Sequence, residues 1–82
     1  MITVELVQDD NGGVKKVVEI YFDEEGLAEL QGRLDLIRDK KTDHVHLMSE
    51  SWGLGDLNEE THRENNQIAH HLLFSLVQKD TV

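Results

Sequence analysis

The chain has no cysteine and no proline, only four aromatic side chains other than histidine, and few basic residues. Each shortage removes a class of protein. Without cysteine there are no disulfides and no thiolate zinc or iron–sulfur sites, and the composition suits a reducing compartment. No apolar run approaches the ~18 residues of a membrane span. The opening Met1-Ile2-Thr3-Val4-Glu5 lacks the basic stretch of a secretory signal, so a cytoplasmic location is expected. Eight Lys and Arg stand against 17 Asp and Glu, a formal charge of −9, where contact with nucleic-acid phosphates calls for a basic patch. The 82 residues amount to one domain, 1–82, and a chain of this size hides only ~60% of its unfolded surface, so its core is thin.

What is present is ordered by hydrophobic period. Ile2, Val4 and Leu6 alternate with Thr3, Glu5 and Val7, as in a strand with one buried face. Asp9-Asp10-Asn11-Gly12-Gly13 supplies the positive φ angles of a tight hairpin, and Val14 to Phe22 is a β-branched, aromatic return strand. Asp23 is placed to cap a helix from about Glu24 to Asp39. Glu24 and Glu25 suit its positive end, Arg38, Lys40 and Lys41 its negative end. Leu27, Leu30, Leu34 and Ile37 make its apolar stripe. Asp43 to Ser49 alternates as a third strand, with Val45 and Leu47 on one face and His44, His46 and Met48 on the other. Ile68 to Val77 reads as a fourth. The pattern predicts a ββαββ, α+β two-layer sandwich: a four-stranded, mostly antiparallel sheet in the order 2-1-3-4, with one helix on one face. The opposite face, carrying Met48, Leu73 and Val77, is left bare and suits a partner or a homodimer.

Three groups of residues are candidates for function. His44 and His46 lie on one side of a strand, and His71 joins them if the third and fourth strands pair, which makes a three-imidazole zinc site conceivable. The alternative is ordinary strand histidines that hydrogen bond or meet a partner. Asp43 beside His44 resembles a base with its orienting carboxylate, but no nucleophile accompanies it, and Ser49 and Ser51 lie outside any nucleophile-elbow pattern. Gly53-Leu54-Gly55 lacks the lysine and the strand-to-helix setting of a phosphate loop. No enzyme activity and no cofactor are therefore expected. The third group is the long polar segment from Glu50 to Asn65. Trp52, its single tryptophan, sits among Glu50, Asp56, Glu59 and Glu60, either as a binding anchor or as a lid on the sheet edge.

Asp43-His44-Val45-His46-Leu47-Met48, followed by Trp52-Gly53 and Leu57, with the leucine stripe before it and His71-Leu72-Leu73-Phe74-Ser75-Leu76-Val77 after it, resembles a family of small immunity proteins of bacterial polymorphic toxin systems. The likeness spans about 23 to 77; the first hairpin matches only in general character. It implies a protein that binds and neutralises a cognate toxin, and it assigns no role to any histidine. The charge agrees, because a carboxylate-rich surface can occupy the cationic groove of a nuclease-type toxin in place of phosphate. The toxin-facing set is then Glu50, Trp52, Asp56, Glu59 and Glu60. A histidine metalloprotein and a structural dimerisation module are the alternatives.

Overall fold

The computed structural model describes residues 1–77. Five strands and one helix follow in the order β1 (Ile2–Gln8), β2 (Val14–Phe22), α1 (Glu24–Arg38), β3 (His44–Met48), β4 (Gln67–Ile68) and β5 (His71–Ser75), with a short 3-10 turn at Glu50–Trp52. The fold is α+β, as the periodicity predicts. No helix among the described residues is long and apolar enough to cross a membrane.

The hairpin closes on its aspartate. Asp9 Oδ1 accepts from the amides of Asn11 at 2.9 Å and Gly13 at 2.8 Å, and Gly12 takes the positive φ of 82° that a side chain resists. The β1–β2 register runs from Ile2↔Phe22 to Leu6↔Val18 and then slips before Gln8↔Val14. At the start of α1, Asp23 Oδ1 accepts from the Gly26 amide at 2.8 Å, the expected cap. Gly26 has a second reason to be glycine: a Cβ there would overlap the Met1 carbonyl and crowd Ile2, because the first helical turn is pressed onto the head of β1.

The sheet departs from the expected order. Strand three does not pair with strand one, and the sheet is not a single four-stranded layer. The closing segment lies between them and is broken: β4 pairs antiparallel with β1, β5 pairs antiparallel with β3, giving a three-stranded sheet β2-β1-β4 and a two-stranded sheet β3-β5. The break falls where the backbone changes partner. The Ala69 amide donates to Val4 O at 2.8 Å, while His70 O accepts from the Ser49 amide at 3.0 Å. Leu76 and Val77, expected in the last strand, lie beyond its end.

The core is small: Ile2, Val4, Leu30, Leu47 and Leu57, with Ala69, Leu72 and Phe74 packed against them. Leu57 comes from the segment that reads as polar loop, and four backbone bonds fasten its surroundings. Gly55 and Leu57 amides donate to Met48 O, Asn58 N donates to Ile2 O, and Trp52 N donates to Ser49 O. The helical stripe is only partly used. Leu30 is buried, but Leu27 and Leu34 are 42% and 45% exposed.

The far face of β1 is not bare. Thr3 and Glu5 are completely buried under the segment 58–66. Glu5 accepts from Thr3 Oγ1 (2.6 Å), the His62 amide (3.0 Å), His62 Nδ1 (3.2 Å) and Asn66 Nδ2 (2.9 Å), and the His62 ring stacks on Tyr21 at 4.9 Å. A polar layer thus closes this side of the sheet, and every buried side-chain polar atom among the described residues has a partner.

Candidate functional site: a tryptophan-bearing acidic loop

The segment after β3 is a built structure. Ser49 is fully buried and its hydroxyl lies 2.7 Å from His70 Nδ1. From there the 3-10 turn lifts Trp52 outward, and Gly53 and Gly55, with φ of 121° and 90°, reverse the chain twice within three residues. Trp52 is laid flat on the His70 ring, with centroids 5.4 Å apart and planes within 5°. It nonetheless remains 59% exposed, as does Leu54. A large apolar side chain held in place while mostly in water is the form of a pre-organised binding anchor.

Of the acidic residues named with Trp52, the structure separates three groups. Glu50 and Glu60 are exposed. Glu59 is partly exposed and braces the turn: it accepts from both the hydroxyl and the amide of Ser51, which hold its carboxyl below the usual range, and it lies 3.8 Å from His70. Asp56 faces inward, with only 11% of its side chain exposed. It pairs with Arg33 at 2.7 Å and accepts from the Met48 amide at 3.2 Å, so it anchors the loop to α1 and β3 and does not belong to the outward surface. Leu54 belongs there in its place. Sequence patterning passes over it because a leucine between two glycines carries no period.

The three histidines do come together on the outer face of β3 and β5. His46 Nδ1 and His71 Nε2 are 2.7 Å apart, so one nitrogen donates and the other accepts, and that hydrogen bond occupies both. His44 stands edge-on to His46 at 5.2 Å, with its own Nδ1 on Asp43 Oδ1 at 2.7 Å, a bond that holds the Asp43 carboxyl below the usual range. Among the described residues no three side chains are grouped so as to hold a metal ion. His70 points away from this row, to Ser49 and Trp52.

Thr3, Glu5 and His62 form the other compact polar group. Burial raises the Glu5 carboxyl, but hydrogen bonds from Thr3, Asn66 and His62 outweigh it and hold the group at about 2. A carboxylate so firmly ionised takes up protons poorly near neutral pH, and the Thr3 hydroxyl donates to it, which fits a structural clamp.

No family model matches the chain, and no curated protein or solved structure matches it either.

Proposed function

We propose that this chain is an immunity-type inhibitor that binds a basic bacterial toxin, such as a nuclease, and blocks its active site. The observation that carries the reading is the display of Trp52 and Leu54, both 59% exposed, on a loop braced from behind by His70, Ser49 and Glu59. From Glu50 to His62 there is no lysine or arginine, and Glu50, Glu59 and Glu60 share this segment with the two apolar side chains. Apolar side chains displayed on a segment charged with one sign suit a partner that offers a pocket bordered by lysine and arginine. The carboxylates set the encounter rate; Trp52 supplies the residence time. The resemblance of the Asp43–Met48 segment and Trp52-Gly53 to immunity proteins supports the same reading.

The test is rescue of growth in cells expressing a candidate toxin from the native host. Trp52→Ala should abolish protection, and Glu59→Lys with Glu60→Lys should slow association and make it less sensitive to salt. Full protection by both variants at physiological ionic strength would refute the assignment of this surface.

A further inference from the structure

His70 stands where the closing segment changes sheets, and its ring is held from three sides. Its carbonyl accepts from the Ser49 amide at 3.0 Å, which fixes the backbone against the end of β3. The Trp52 indole covers one face of the imidazole, with centroids 5.4 Å apart and planes within 5°. Nδ1 lies 2.7 Å from the buried Ser49 hydroxyl and 3.8 Å from Glu59 Oε1. Glu59 is the charged group that reaches this ring, and among the described residues no other ion pair involves it. His71, the next residue, turns to His46 on the outer face of β5.

The available hydrogens fix which nitrogen of the neutral ring carries one. The Ser51 hydroxyl donates to Glu59 Oε1, so its hydrogen is committed there. The Ser49 hydroxyl lies 3.3 Å from Ser51 Oγ and is among the hydrogen bonds that lower the Glu59 carboxyl, so its hydrogen too is drawn to the carboxylate end. The Ser49 oxygen then faces His70 and accepts from it. A bare Nδ1 would instead set its lone pair 3.8 Å from a carboxylate oxygen. Both contacts place the hydrogen on Nδ1. The bonds then run one way, from imidazole to Ser49 and on towards Ser51 and Glu59, and bonds polarised in one direction reinforce each other. Glu59, held below the usual carboxylate range chiefly by Ser51, stays ionised near neutral pH.

We infer that His70 is the positioning residue of the Trp52 surface: the indole rests on a ring whose Nδ1 hydrogen heads a one-way chain to Glu59, and charging that ring tightens the hold. The second proton goes to Nε2, which has no hydrogen-bond partner among the described residues, so it enters without breaking the chain. It puts a full positive charge under the indole face and beside Glu59. Both attractions exist only in the charged form, so the brace is firmer on the acid side of the histidine range and looser on the alkaline side. The inference rests on Trp52 being the anchor of the proposed inhibitor, but it is tested on the free chain, with no toxin present.

Imidazole nitrogen spectra of the full chain, taken above the histidine range, should show His70 protonated at Nδ1. Trp52 is the only tryptophan, so its emission reports this contact alone. An imidazolium stacked on an indole quenches emission more than a neutral imidazole does, so wild-type intensity should fall as pH drops through the histidine range. Nitrogen relaxation at the indole Nε1–H should show the ring becoming more ordered over the same interval. His70→Phe keeps a flat ring beneath the indole but has nothing to protonate, and should lose the pH-dependent quenching with circular dichroism unchanged. Ser51→Ala, at an exposed position, cuts the chain before Glu59 and should leave the indole less ordered. A neutral His70 protonated at Nε2, an indole no more ordered in mild acid, or equal quenching in wild type and His70→Phe would each overturn the inference. Failure of the chain to bind any toxin while these results hold would count against the inhibitor reading alone.

Discussion

Replacing Glu5 with glutamine should cost this small protein a substantial part of its stability, and the loss should vanish in acid. The carboxyl sits at about 2, against 4.5 for an ordinary glutamate. Its folded pKa is lowered, so its contribution is complete above the unfolded value and fades as pH falls from about 4.5 towards 2. Read in full, a shift of that size is worth about 3 kcal/mol at neutral pH. The cover over Glu5 is a single pass of chain, 58–66, and solvent screens part of the interaction, so about 2 kcal/mol is the sounder expectation. A domain of this length holds only ~4–12 kcal/mol in total, which makes the effect easy to see.

Urea unfolding of wild type and Glu5→Gln from pH 7 down to pH 2 reads it directly. Glu19, Asp23, Asp43 and Glu59 are also lowered, so both proteins lose stability in acid; the gap between the two curves isolates Glu5. The gap should be largest above pH 5 and close towards pH 2. Two curves that run parallel throughout would show that the hydrogen bonds from Thr3, His62 and Asn66 do not favour the ionised form, and the clamp would be wrong.

Two glycines on α1 should respond to alanine in opposite directions. Gly26→Ala forces a methyl against the Met1 carbonyl and Ile2, and should destabilise by about 2 kcal/mol despite alanine's higher helix propensity, seen as a lower urea midpoint. Gly32→Ala meets nothing within 4 Å and should stabilise by about 0.5–1 kcal/mol in the same assay. Leu57→Ala should cost about 2–4 kcal/mol and raise amide exchange through the acidic loop, because this leucine is 2% exposed within the core cluster. Its unfolding curve matching that of a surface variant would show that the loop is not fastened through it.

Local chemistry made much of this fold legible. Asp9 and Gly12 build the hairpin, Asp23 caps the helix, and the alternation of Val45 and Leu47 against His44 and His46 survives in the observed faces. These features depend on a residue and its near neighbours. What did not show were choices made at long range. Ala69 and His70 look like interior residues of one strand, and only the positions of Val4 and Ser49 decide that their backbone groups turn to different partners. Leu57 is a single apolar residue in a polar run, and its burial follows from the parallel bridge between Ser49 and Leu57. Asp56 carries the same charge as Glu59 and Glu60, but Arg33, 23 residues earlier, draws it inward. Thr3 and Glu5 fit an alternating strand with a wet face until His62 and Asn66 close over them.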